Sequence, residues 1–197
     1  MPADRKRICV FCGANPGNDP AFVSAAAELG RAVAVAGHGV VYGGGRVGLM
    51  GVLADAALAA GGEVLGFMPR ALVEREVGHH GLTELVVTDS MHSRKAAMAD
   101  HADGFIAMPG GFGTLDEVME ILTWNQIGSI AKPVAVLDGN GYFESLFRFF
   151  DEAVAAGLIK PEHRAMAQHA SNVGQAIEIA TGPAPSSPSK WIDPSIR

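Results

Sequence analysis

Several things this sequence is short of narrow the field before any motif is read. Its 197 residues hold two cysteines, Cys9 and Cys12. One CxxC pair without a second is too little for a structural zinc site. Cys9-Val10-Phe11-Cys12 has redox spacing, yet it lies inside an apolar run, whereas a reactive pair opens a helix. A buried strand is the better reading. No apolar run reaches the roughly 18 residues of a membrane span. The N-terminus is short and charged, with Arg5-Lys6-Arg7 leading straight into the first apolar run, so no secretory signal is read there. Lys and Arg number 15 against 21 Asp and Glu, for a net charge of −6. Nonspecific nucleic-acid binding needs basic stripes that this balance disfavours. The expectation is a cytoplasmic protein with no nucleic-acid partner and no membrane partner. Gly-x-x-x-x-Gly-Lys-Ser/Thr and Gly-x-Ser-x-Gly are both missing, which disfavours a P-loop ATPase and a nucleophile-elbow hydrolase.

What the chain does have is a regular alternation. Short apolar runs at 8–12, 40–42, 64–68, 85–88, 104–108 and 134–137 read as strands. Between and after them, 21–36, 48–60, 93–101, 114–127, 142–156 and 173–181 carry helical periodicity. Gly37 and Gly61-Gly62 fit helix stops. Strands apolar on both faces and joined by helices imply a parallel sheet covered on both sides. The expected fold is α/β: a Rossmann-like, doubly wound parallel sheet with helices on both faces. Residues 1–181 are expected to form one domain. Residues 182–197 form a Pro/Ser-rich tail, with Trp191 and Ile192 available to dock it on a neighbour.

Ligands of such sheets bind beyond the carboxyl ends of the strands, and glycine clusters follow strands one, two and five. The last is Pro109-Gly110-Gly111-Phe112-Gly113-Thr114-Leu115-Asp116-Glu117. A glycine-rich turn running into a helix offers free N–H groups and the positive end of the helix dipole to a phosphate. Thr114 is expected to cap that helix, with Glu117 completing a capping box. The second cluster, Gly43-Gly44-Gly45-Arg46-Val47-Gly48, has the form of a dinucleotide fingerprint. The next strand, however, ends Gly66-Phe67-Met68-Pro69, without the carboxylate that would hold a ribose. Close approach of backbone to a nucleotide is preferred to NAD binding. Ser90-Met91-His92-Ser93-Arg94-Lys95 opens a helix at the same edge. Positive charge at a helix N-terminus opposes the dipole, and a local rule broken at a ligand edge points to function. Glu76 sits in the connection after the third strand. His79-His80 diverge and lack a third ligand, so no metal site is read.

These motifs resemble those of the LOG ("Lonely guy") family. The resemblance rests on PGGxGTxxE at 109–117, Ser93-Arg94-Lys95, GGGxxGLMG at 43–51, Cys9-Val10-Phe11-Cys12-Gly13 and Ile121-Leu122-Thr123-Trp124. It runs from about Arg7 to Thr181. It implies a phosphoribohydrolase that cleaves the N-glycosidic bond of an N6-modified AMP, a cytokinin riboside 5′-monophosphate, giving free base and ribose 5-phosphate. It implies a Rossmann-like homodimer with sites near the subunit interface and no cofactor. By the resemblance, Arg94 and Glu117 are catalytic. Glu76, Lys95, Thr123 and the stretch Gly111, Phe112, Gly113, Thr114, Leu115, Asp116 bind substrate, joined by Gly43, Gly44 and Gly45. The chain departs from the pattern at Ala14-Asn15, where many relatives carry serines, and at Asp116, where Glu is frequent. Some members have carried a lysine decarboxylase label, but no pyridoxal-phosphate lysine context is recognisable.

Elementary chemistry agrees with that implication. Breaking a nucleoside C–N bond develops positive charge on the ribose and negative charge on the leaving base. Glu117 can stabilise the cation or activate water, and Arg94 can anchor the nucleotide. Two other readings stay open: a nucleotide nucleosidase of broad specificity, and a noncatalytic carrier of a nucleotide or of molybdenum cofactor.

Overall fold

Seven strands lie side by side, all parallel, in the order β4-β3-β2-β1-β5-β6-β7 in a computed structural model that describes residues 5–74 and 78–184. In chain order the elements are β1 (Arg7–Phe11), α1 (Pro20–Val35), β2 (Gly39–Tyr42), α2 (Gly48–Ala59), β3 (Val64–Pro69), α3 (Arg70–Val73), β4 (Glu84–Thr88), α4 (Met91–Asp100), β5 (Gly104–Ala107), α5 (Phe112–Ile127), β6 (Val134–Leu137), α6 (Glu144–Ala155), α7 (Pro161–Arg164), β7 (Ala167–Ala170) and α8 (Val173–Thr181). Glu76, and Trp191 and Ile192 of the tail, lie outside the described residues.

Alternation along each strand sends successive side chains to opposite faces. Ile8 and Val10 of β1 join one buried cluster with Leu29 and Val33 of α1, Leu53 of α2 and Ala176 of α8. Cys9 and Phe11 join the other, with Met98 of α4 and Val118 and Ile121 of α5. The sheet is therefore covered on both faces, as a doubly wound fold requires. The two cysteines are free and buried. Burial pushes both thiols well up, so neither has the thiolate character of a redox pair. Helices α1 and α2 pack with their backbones nearly touching: a Cβ on Gly30 would sit 2.2 Å from the Leu53 carbonyl oxygen.

Three elements escape the sequence pattern. β7 reads Ala-Gln-His-Ala and closes the sheet edge, where half-exposed polar residues erase the apolar signal of a buried strand. α3 and α7 are single turns, too short for periodicity to register.

The topology fixes where a ligand can sit. The strand order reverses between β1 and β5, and a crevice opens beyond their carboxyl ends. There the Gly13 N–H donates to the Pro109 carbonyl (3.1 Å) and the Leu49 N–H to the Gly13 carbonyl (3.0 Å). The loops after β1, β2 and β5 are thereby stitched around one point.

Candidate active site

A cleft of about 580 Å³ occupies this crevice. The loop after β1 (residues 13–17), Gly43, Gly45 and Val47 after β2, and Pro109 to Gly111 after β5 form its rim. Two helix N-termini open onto it. α2 is capped by Val47 and α5 by Gly111, and neither cap supplies a side-chain hydrogen bond. Terminal N–H groups left without a side-chain acceptor, at the positive ends of two helix dipoles, suit an anion.

The capping expectation is corrected here. Thr114 is not the N-cap and Glu117 closes no capping box: α5 starts at Phe112, with Gly111 as its cap. Gly111 takes the cap position without a side chain, so the helix begins before Thr114. The shift by one turn matters. It puts Thr114 in the buried first turn and turns Glu117 inward, one helical turn further along the same face.

Glu117 meets Arg94 there. The Arg94 Nη1 to Glu117 Oε1 distance is 3.1 Å, and both side chains are about nine-tenths buried. Arg94 enters from the first turns of α4, whose end is closed by Ser90 and Ser93 bonding reciprocally to each other's backbone. Its Nε donates to the Phe67 carbonyl of β3 at 3.0 Å. Gly43 makes room, since a Cβ there would fall 1.9 Å from Arg94 Nη2. A buried ion pair carries a large desolvation cost, and the balance is visible at Glu117. Loss of solvent pushes its pKa above the ordinary carboxylate value, and the Arg94 charge opposes that rise without cancelling it. A carboxylate of raised proton affinity on the floor of a cleft is a better base than a surface one.

Seven of the residues expected from sequence line the cleft: Arg94, Glu117, Gly43, Gly45, Gly111, Gly113 and Thr114. Others do not. Lys95 points about a third of a turn away from Arg94 and is held by Asp116 (3.0 Å) and Glu120 (3.1 Å) on the flank of α5. Thr123 donates to the Met119 carbonyl of its own helix. Leu115 packs into the core, Gly44 lies against Phe67 and Met68, and Phe112 is 94% exposed. Sequence reasoning passed over the apolar walls: Phe22, Met50, Met68 and Leu72, together with Tyr142 from the turn after β6. None carried a local signal: Phe22, Met50 and Met68 sit within helical or strand patterns, Tyr142 opens the helical run 142–156, and Leu72 falls in a single turn too short for periodicity.

The model of a family described as "Possible lysine decarboxylase" matches residues 50–179. The cytokinin riboside 5′-monophosphate phosphoribohydrolases LOG1 and LOG5 of Arabidopsis thaliana are similar over most of their length. LOG1 is 46% identical over 159 residues, covering 81% of this chain and 75% of the relative. LOG5 is 42% identical over 173 residues, covering 88% and 76%. The chain belongs to the LOG family. Among solved structures, the Moco carrier protein of Chlamydomonas reinhardtii superposes with a TM-score of 0.65 at 25% identity, over 88% of this chain and 94% of that one. The molybdenum cofactor binding protein of Rippkaea orientalis shares the fold, with a TM-score of 0.67 at 23% identity over 89% and 95%. Pyridoxal phosphate, which the decarboxylase description would call for, does not fit this LOG-family cleft. Among the described residues no lysine lines it, and Lys95 and Lys132 are bonded to Asp116 and to the Ala99 carbonyl. Nor do the described residues bring three or more His, Cys, Asp or Glu together as a metal site.

Proposed function

We propose that this chain hydrolyses the N-glycosidic bond of an N6-modified AMP, releasing the free cytokinin base and ribose 5-phosphate. The observation that carries the reading is the buried Arg94–Glu117 pair lying one helical turn from an uncapped, glycine-lined helix N-terminus. The 5′-phosphate sits on the N–H groups at residues 111–114. That fixed point orients the ribose, so binding energy remote from the reaction is spent on positioning. The glycosidic C1′–N bond breaks, the base leaves with the bonding electron pair and takes up a proton, and a water oxygen bonds to C1′. Glu117 faces the positive charge that develops on the ribose, or takes the proton of that water. Arg94 holds the carboxylate and offsets charge around the reacting centre. The base lies against the apolar wall of Met50, Met68 and Leu72, and Gly43 and Gly45 let backbone approach it closely. Glu76, Lys95 and Thr123 join the binding residues when substrate is present. In the cell the chain acts in the cytoplasm as a homodimer with its sites near the interface, where exposed Met91 lies three residues from Arg94.

Product analysis tests this. N6-isopentenyl-AMP is incubated with the protein, with AMP and N6-isopentenyladenosine in parallel, and base and ribose 5-phosphate are quantified. Release of both from N6-isopentenyl-AMP, and far less from the riboside, is expected. Equal turnover of AMP would replace the reading with a broad nucleotide nucleosidase. Tight binding without turnover would replace it with a carrier.

A further inference from the structure

Tyr142 has no part in the chemistry described so far, yet its side chain is bonded directly to the backbone of the phosphate loop. It follows Gly141, whose φ of +80° bends the chain after β6 back toward β5. Its hydroxyl donates to the Gly110 carbonyl oxygen at 2.6 Å. Its ring is wedged edge-on between Phe22 (5.5 Å between centroids) and Phe143 (5.0 Å), so the hydroxyl is aimed by packing even though the residue is about half exposed.

The bond falls on an unusual peptide. Gly110 and Gly111 both lack a Cβ, so rotation of the plane between them meets little steric resistance. In a trans peptide the carbonyl and the N–H point opposite ways. Whatever holds the Gly110 oxygen therefore decides which way the Gly111 N–H points. The neighbouring groups are already spoken for: the Pro109 carbonyl accepts from the Gly13 N–H and the Gly111 carbonyl from the Leu115 N–H. Thr114 packs closely against Gly110, where a Cβ would meet Thr114 Oγ1 at 2.1 Å. A flip of the 110–111 peptide would exchange a donor for an acceptor at the mouth of α5, and a carbonyl oxygen there would repel a phosphate.

We propose that Tyr142 is a positioning residue for the phosphate loop, locking the Gly110–Gly111 peptide so that a nucleotide's 5′-phosphate meets N–H donors. This rests on the reading that a 5′-phosphate binds at residues 111–114. Tyr142→Phe keeps the ring and its packing and removes the bond. Calorimetric titration with AMP, inorganic phosphate and N6-isopentenyladenosine, beside kcat and KM for N6-isopentenyl-AMP, tests it. One lost hydrogen bond is expected to weaken AMP and phosphate by about three- to tenfold. KM should rise by a similar factor, with kcat within about twofold and the nucleoside bound as before. AMP held as tightly as by wild type would overturn the proposal. So would an equal loss for the nucleoside, which would make Tyr142 a contact for base or sugar. Wild-type protein that binds N6-isopentenyl-AMP without turning it over would refute the hydrolase reading alone, since the binding comparison still judges Tyr142.

Discussion

The two glycine-rich loops at the cleft look alike in sequence and are built for different reasons. In the loop after β2, the protein itself fills the space a side chain would need. Gly43 is backed by the Arg94 guanidinium, and a Cβ on Gly48 would fall 2.3 Å from the Ala14 carbonyl, at a φ of +60° that favours glycine. In the loop after β5, a Cβ on Gly111 or Gly113 would meet nothing within 4 Å. Packing explains Gly43 and Gly48 in the first loop and Gly110 in the second, and leaves Gly111 and Gly113 unexplained. Open space over uncapped N–H groups is what a bound phosphate would occupy. A glycine motif alone therefore does not say whether it serves the fold or the ligand; its surroundings do.

The comparison can be broken most sharply at its centre. Glu117→Gln keeps the shape of the floor but removes the carboxylate charge. Turnover of N6-isopentenyl-AMP is expected to fall by about 10³-fold, with AMP affinity within about tenfold of wild type. Wild-type-like rates would remove Glu117 from the reaction. Next in size is Gly43→Ala. The added methyl displaces the Arg94 guanidinium, so turnover should drop roughly 10²-fold and unfolding free energy by about 1–3 kcal/mol. An unshifted Arg94 in a crystal of that variant would contradict the packing argument. Gly113→Ala should behave in the opposite way. Its unfolding free energy stays level or rises by about 0.5 kcal/mol, whereas nucleotide binding weakens about tenfold because the methyl stands at the phosphate site. Equal stability losses in the two alanine variants would erase the distinction between the loops.

The smallest effect is with pH. Burial raises the Glu117 pKa above its ordinary 4.5, so the folded chain holds that proton more tightly than the unfolded one. The stabilising contribution of the protonated form is full below 4.5 and is lost as pH rises through the folded-state value. Activity, which needs the carboxylate, should show an acid limb centred above 4.5. Denaturant titrations of wild type and Glu117→Gln across that window should diverge with this sign, and parallel curves would count against the burial argument.

Much of this was legible in the chain. Six strands and six helices could be placed from period alone: the five inner strands, buried on both faces, read as unbroken apolar runs, and edge strand β4 still carries Leu85-Val86-Val87. Edge strand β7 could not, since its exposed face accepts Gln168 and His169. Arg94 stood out because a cation near a helix start breaks a local rule, and its burial against Phe67 and Glu117 accounts for the exception. Glu117 was named catalytic by the resemblance; its spacing from Thr114 had also read as a capping box, and the early helix start that removes the box leaves it facing the cleft. Lys95 shows the limit from the other side. Adjacency to Arg94 does not put the two side chains at one place: a helix separates neighbours by about 100°, and in this structure Asp116 and Glu120 hold Lys95 on the flank of α5. Tyr142 and the apolar walls depend on contacts between distant segments, which no local pattern encodes.

The central claim is that the second loop holds a 5′-phosphate while the Arg94–Glu117 pair faces the glycosidic bond. The most direct measurement is kcat/KM for N6-isopentenyl-AMP against N6-isopentenyladenosine with the same protein. Two charge-assisted hydrogen bonds of about 1.5 kcal/mol each predict a preference for the nucleotide of at least roughly 10²-fold. Comparable values for the two substrates would contradict the account, because the loop after β5 would then hold nothing that the reaction needs.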